Sequence, residues 1–190
     1  MSVPAKVRYI EVEEYLEGEL RSEIRHEYVD GQVFAMAGAG ERHNRIAGNL
    51  FFHLRAAARG GPCGVFVNDM KARIDGRNIF YYPDVMLVCD PADDEEYLKR
   101  RPCLIAEVAS PSTWMTDRRE KLFAYRDLPS LRYYLLISAE RREVEYFIRE
   151  EDGGWATARL EEGEVLAVSC GDYRAELRLA DLYEDVRLES

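Results

Sequence analysis

The segment Cys103-Leu-Ile-Ala-Glu-Val-Ala109 constrains this chain more than any other. Its near-continuous apolarity is the mark of a strand buried on both faces, the kind found in the middle of an α/β sheet. Glu107 stands inside it, flanked by Leu104, Ile105, Ala106, Val108 and Ala109. A lone carboxylate held there is costly even after the surroundings relax. Something must compensate: a metal ion, a cationic side chain or a proton. The residues alone leave a metal ligand and a buried ion pair equally open.

Asp84 shifts that balance. Pro83-Asp84 falls between two strand-like runs, Ile79-Phe-Tyr-Tyr82 and Val85-Met-Leu-Val-Cys89. Pro83 removes a ladder donor, so the sheet bends there and Asp84 is free to point from the bend. If the Val85 strand pairs with the Leu104 strand, Asp84 and Glu107 approach each other. Two converging carboxylates without a cation repel, and one keeps its proton. A hard divalent cation removes the conflict, and Mg²⁺ is typically held by one or two carboxylates together with water and substrate phosphate. Taken alone, Pro-Asp also fits a turn that caps backbone amides. Glu27, in Arg25-His-Glu-Tyr-Val-Asp-Gly31, is a third candidate acid, equally readable as a half-exposed strand carboxylate.

Periodicity supplies the frame. Val12, Tyr15, Leu16 and Leu20 share a helical face. Asp30-Gly31 separates Glu27–Val29 from Gln32–Met36 as a hairpin turn. Ile46, Leu50, Leu54 and Ala57 mark a helix over 41–59, stopped by Gly60-Gly-Pro62. The runs 64–68 and 70–74 read together as one strand with a bulge, and further strands are expected over 79–82, 85–89 and 103–109, with a charged loop or one helical turn over 90–101. A helix follows from about Thr116 to Asp127, then a hairpin of Arg132–Ser138 with Glu143–Arg149. A third strand pair is expected from Trp155–Leu160 and Glu164–Val168, and a final helical turn over Leu179–Asp185. The order predicts an α/β fold with a mixed sheet, in a single domain over 1–190.

The net charge of −10 argues against indiscriminate nucleic-acid binding, because phosphates are held through Lys and Arg. A local basic groove remains compatible with it, and the pairs Arg100-Arg101, Arg118-Arg119 and Arg141-Arg142 are candidates to line one. Cys63, Cys89, Cys103 and Cys170 are scattered, without metal-ligand spacing. Cys89 and Cys103 read as buried free thiols, which suits a reducing cytoplasm. No run reaches the length of a membrane span. The polar, acidic stretch Met1–Glu14 predicts no secretory signal.

With these residues in place, the chain resembles the Uma-two family of restriction-endonuclease-like proteins. The matching stretches are Glu27-Tyr-Val-Asp-Gly31, the helix bearing His43, Tyr82-Pro-Asp-Val85, Ile105-Ala-Glu-Val-Ala-Ser-Pro-Ser-Thr113, Asp117-Arg-Arg-Glu-Lys121 with Tyr125, and Arg132-Tyr-Tyr-Leu-Leu136. The resemblance implies the PD-(D/E)XK core, a mixed sheet flanked by helices with a metal site at one edge. It makes Asp84 the motif's Asp and Glu107 its second acid, with Glu27 as a supplementary acid. One departure matters: the lysine of the E-x-K pattern falls at Ala109. The resemblance offers Lys121 as a relocated lysine. On its own terms, Lys121 also fits an i,i+4 pair with Asp117 on an exposed helix face, worth a few tenths of a kcal/mol. His43 reads from chemistry as a solvated or capping residue, although the family places it toward the site. Ser110 fits either a site hydrogen bond or the turn before a helix.

These readings converge on a divalent-metal-dependent endonuclease that hydrolyses DNA phosphodiesters. Asp84, Glu107 and the Val108 carbonyl would hold Mg²⁺ or Mn²⁺. Lys121 and Glu27 would complete the catalytic set. DNA would enter through a local groove, no membrane is involved, and the reading allows a homodimer. The rival is a catalytically inactive nuclease fold kept as a binding or assembly module.

Overall fold

The computed structural model describes residues 8–111 and 113–188. The first residues of Met1–Glu14 and Ser112 of the Ser-Pro-Ser-Thr stretch lie outside them. Helix α1 (Val12–Glu19) leads into the hairpin of β1 (His26–Val29) and β2 (Gln32–Ala35). Asp30 and Gly31 both adopt positive φ, 43° and 87°, as the tight turn requires. Helix α2 (Glu41–Ala57) follows, then β3 (Gly64–Val67), β4 (Lys71–Ile74), β5 (Ile79–Tyr81) and β6 (Val85–Val88). The single bulged strand expected over 64–74 is two strands in different sheets, because Asn68 takes a left-handed φ of 59° and turns the chain between them. The expected charged loop over 90–101 contains a short strand, β7 (Leu98–Lys99), which pairs in parallel with β4. Asp93 is buried and accepts the Arg100 and Arg101 amides, so its carboxylate organises a segment whose composition reads as loop.

Strand β8 (Pro102–Ala109) is buried along its whole length. It is antiparallel to β6 and parallel to β9 (Tyr133–Ser138). Between β8 and β9 runs α3, which passes from Trp114–Thr116 through a π-helical stretch, Asp117–Lys121, into Leu122–Tyr125. Strand β9 continues into β10 (Val144–Arg149) and β11 (Trp155–Arg159). The third strand pair is not the expected one. Strand β11 pairs with β10, and β12 (Leu166–Cys170) pairs with β13 (Tyr173–Leu177) instead. The exposure of β11 from Ala156 to Arg159 suits the edge of a sheet. Helix α4 (Leu179–Leu182) closes the described chain.

The strands form a six-stranded sheet ordered β11-β10-β9-β8-β6-β3, a five-stranded sheet ordered β2-β1-β5-β4-β7, and the β12–β13 pair. Alternation along β8 decides what each face meets. Leu104, Ala106 and Val108 turn to α2 and the β12–β13 pair, where Ile46, Leu50 and Leu54 pack. Ile105 and Ala109 turn the other way, onto α3 and the five-stranded sheet, among Leu122, Tyr125, Ile74 and Tyr81. Helix α1 covers the far side of the five-stranded sheet through Tyr15, Tyr28 and Phe80. Each fully buried Leu, Ile or Val contributes about 1.5–3 kcal/mol by leaving water, so this layered core readily carries a few polar groups at some cost.

The cysteines correct the expectation of free thiols. Cys63 is bonded to Cys89 and Cys103 to Cys170. Scattered sequence positions hide both pairings, because partners 26 and 67 residues apart meet only after the strands assemble. The thiol argument for a reducing compartment therefore loses its premise. Among the described residues, no helix is long and apolar enough to cross a membrane.

Candidate active site

The site grows out of an interrupted ladder. Val85 is registered against Ala106. Carried one residue further, that register sets Asp84 against Glu107, and a second step sets Pro83 against Val108. Pro83 has no N–H to donate, so it cannot serve the Val108 carbonyl. The Val108 amide bonds instead to Asp84 Oδ2 at 2.7 Å. The Asp84 carbonyl accepts from Asn68 N at 2.9 Å, which ties the bend to β3. The sequence thus ends the β6–β8 pairing at the place where two acids face each other.

Glu107 lies on the α3 side of β8 and is 4% exposed. Its Oε1 accepts from the Tyr125 hydroxyl at 2.7 Å and from Lys121 Nζ at 3.3 Å. Lys121 also lies 2.9 Å from Glu27 Oε1 and 3.6 Å from Asp117 Oδ1. The Glu27 contact is an ion pair without hydrogen-bond angles, since that buried oxygen has no hydrogen-bond donor. Lys121 therefore does not sit on an exposed helix face. Its i,i+4 contact with Asp117 is buried, as both residues are less than 10% exposed. The π-helical stretch carries both residues, and such interruptions of an α-helix often accompany functional sites.

His43, expected as a solvated or capping residue, places Nε2 3.0 Å from Asp84 Oδ2. The first turn of α2 aims it at the bend. Ser110 sits at the rim, in a turn where its amide bonds to Thr113 Oγ1 at 3.1 Å. Asp117 and Tyr125 belong to the cluster although the sequence reading gave them other tasks. On the sequence Asp117 reads as a helix-surface partner of Lys121, and Tyr125 stands among the residues that match the family. The signal that was available is the polar spacing Asp117, Lys121, Tyr125, which repeats every four residues along one helix face.

Burial and charge set the protonation pattern. Burial pushes the Glu107 carboxyl well above its usual range; Lys121 opposes this, while Asp84, Asp117 and Glu27 add to it. Burial also raises Asp117, again against Lys121. For Lys121, burial disfavours the charge, but Glu107, Glu27 and Asp117 outweigh burial and hold the ammonium above its ordinary value. Burial, with Glu107 beside it, lifts the Tyr125 hydroxyl well above 10, so it stays a proton donor. Fully ionised, Glu27, Asp84, Glu107 and Asp117 would outnumber one lysine and one histidine, and the raised Glu107 and Asp117 carboxyls register that excess.

The cluster opens on a broad groove of about 2030 Å³. Arg25, Arg42, Arg45 and Arg187 are among its lining residues. The Arg100-Arg101, Arg118-Arg119 and Arg141-Arg142 pairs do not line it. Five of those six arginines are held in ion pairs elsewhere, for example Arg118 on Glu145 at 2.7 Å and Arg101 on Asp90 at 2.9 Å.

Among the described residues, no group of three or more His, Cys, Asp and Glu side chains is arranged to hold a metal ion unaided. A cation here would rest on Asp84, Glu107 and the Val108 carbonyl, the sparse protein contribution that Mg²⁺ accepts. Asp84 and Glu107 each engage one oxygen with protein groups, leaving Asp84 Oδ1 and Glu107 Oε2 without a donor among the described residues. Hard oxygen donors at a site with surplus negative charge fit a divalent cation.

Comparison with known proteins bears on the family and the fold. A family model described as "putative restriction endonuclease", Uma2, matches residues 12–178. The chain belongs to the Uma2 family. Two proteins from Synechocystis are similar to it: the uncharacterised protein slr1290, 38% identical over 75% of this chain and 76% of its own length, and the uncharacterised protein sll1609, 32% identical over 84% and 92%. The crystal structure of a putative nuclease belonging to DUF820 from Anabaena variabilis superposes with a TM-score of 0.74. It covers 92% of this chain and 97% of that one at 15% identity, so the likeness is one of fold. The fold of this Uma2 chain is accordingly that of a nuclease-like α/β protein.

Proposed function

We propose that this Uma2 protein is a divalent-metal-dependent endonuclease acting on DNA phosphodiesters. The observation that carries the reading is the pairing of Asp84 and Glu107 at the end of the β6–β8 ladder, where both line the groove. A bound Mg²⁺ or Mn²⁺ would supply Lewis acidity, neutralising the phosphate and lowering the pKa of a water. The protein's own residues do the remainder. The Val108 amide and His43 hold Asp84 in place. Tyr125 fixes the Glu107 carboxylate from behind. Lys121, held charged by three carboxylates, presents the ammonium that orients the attacking water or stabilises the phosphorane.

The test is cleavage of plasmid and linear DNA by purified protein with Mg²⁺, Mn²⁺ or EDTA. Cleavage with either metal, lost in EDTA and in both Asp84→Ala and Glu107→Ala, is the expected result. Calorimetric titration with Mn²⁺ should show weak binding that disappears in the same variants. Unchanged metal binding in both variants refutes the site. Ala109 in the usual lysine position favours the alternative, a nuclease fold retained for binding; DNA binding without cleavage under any metal would establish it.

A further inference from the structure

The groove wall built by the β1–β2 hairpin carries an unused apolar surface. Glu27 is registered directly against Phe34, and the Met36 amide bonds to the Arg25 carbonyl at 2.9 Å, which continues the same ladder. Side chains alternate along a strand, so Arg25, Glu27, Phe34 and Met36 share one face of the hairpin. Glu27 on that face reaches Lys121. The intervening Tyr28 and Val33 turn to the opposite side, toward α1. Phe34 is 50% exposed and Met36 36% exposed, and both line the groove beside the acids. Nothing in the described chain covers them.

The charge around the groove restricts what can cover them. Glu27, Glu41, Asp69, Asp84, Glu107 and Asp117 all line it, opposed by a smaller number of basic groups. A polyanion therefore gains little from the groove's charge alone, and its affinity needs another source. An exposed aromatic ring supplies one if it meets the face of an unpaired base. In an intact duplex both faces of each base are already stacked. Arg25 stands on the same face as Phe34, in an exposed ion pair with Asp69 at 3.3 Å that is worth little and readily exchanged for phosphate.

Resting on the nuclease reading above, we infer that Phe34 is a base-stacking residue and that the preferred substrate is nucleic acid with unpaired bases next to the scissile phosphate. Phe34, with Met36 beside it, holds the base, Arg25 takes the adjoining phosphate, and the strand is thereby led to Asp84 and Glu107.

The test measures binding of a fluorescein-labelled single-stranded DNA oligonucleotide, the same strand with one abasic position moved along it, and the blunt duplex. Fluorescence anisotropy with the full chain and Mg²⁺ is the readout, taken before cleavage proceeds. The parent should prefer the single strand. Phe34→Ala should weaken single-strand binding by roughly 5- to 150-fold, the range one stacked base supplies, and leave duplex binding unchanged. Phe34→Trp should restore it, with tryptophan quenching that the strand abasic at one position fails to produce. Equal single-strand binding by parent and Phe34→Ala overturns the inference, as does a parent preference for duplex. Metal-dependent cleavage of single strands that is insensitive to Phe34 would sink this inference and leave the nuclease reading standing. Phe34-dependent binding with no cleavage would do the reverse. If no nucleic acid binds and Phe34→Ala converts a dimer to a monomer on size exclusion, the face is a protein interface and the inference is wrong.

Discussion

Lys121→Ala is expected to unfold more of the protein than it disables. An exposed i,i+4 lysine can be removed for a few tenths of a kcal/mol, but Lys121 lies within 2.9, 3.3 and 3.6 Å of three carboxylates. Glu107 and Asp117 are almost fully buried and would be left without their cation. Removing one partner of a buried charge cluster costs about 3–5 kcal/mol, which in a domain of this size lowers the midpoint by roughly 6–20 °C. The pH dependence follows from the same contacts. Glu107 and Asp117 have folded pKa values above their ordinary 4.5 and 3.8. A carboxyl raised on folding contributes stability that is fully present below its unfolded pKa and is lost as pH rises through the folded one. Loss of Lys121 removes the group opposing both shifts. The gap between parent and variant should therefore be small at about pH 4, widen through the carboxylate range and be largest near neutrality. Thermal and guanidinium melts at pH 5 and pH 8, followed by circular dichroism, measure it. A deficit at pH 8 below about 0.5 kcal/mol, as for an exposed pair, or a deficit that grows toward acid, would refute the reasoning. Adding Glu107→Gln to Lys121→Met should recover much of the loss, because a neutral, well-packed replacement of a buried ion pair is often tolerated.

Tyr125→Phe deletes the 2.7 Å donor to Glu107 and leaves a buried acceptor partly unsatisfied; a loss of about 1–3 kcal/mol is expected in guanidinium melts. Reduction should also destabilise the fold: bridges spanning 26 and 67 residues each constrain the unfolded chain by about 3–4 kcal/mol. Melts with and without dithiothreitol, beside a thiol titration under denaturing conditions, check this. Cys103→Ala with Cys170→Ala should cost more than the Cys63 and Cys89 pair, since it opens the longer loop.

The parts legible in the sequence are those governed by local pattern. Glu107 announced itself because a carboxylate inside an apolar strand violates the pattern around it, and Asp30-Gly31 announced a hairpin through its φ requirement. What could not be read is what depends on two distant segments meeting. The β12–β13 pair is hidden twice: apolar alternation over Leu166–Cys170 marks a strand without naming its partner, and Tyr173–Leu177, with Arg174 and Glu176 between its apolar positions, is not read as a strand at all. Both disulfides are hidden because their partners meet only after the strands assemble. The lysine shows the principle most sharply. Ala109 and Glu107 share a face of β8, so a lysine at 109 would lie beside the acid by local geometry alone. Here the ammonium comes from α3, packed against that same face, and reaches Glu107 across the interface from 14 residues away. A motif written as consecutive letters sees the vacant position on the strand. The proposed chemistry needs a cation at one point in space, and the helix that covers the strand can supply it from the other side.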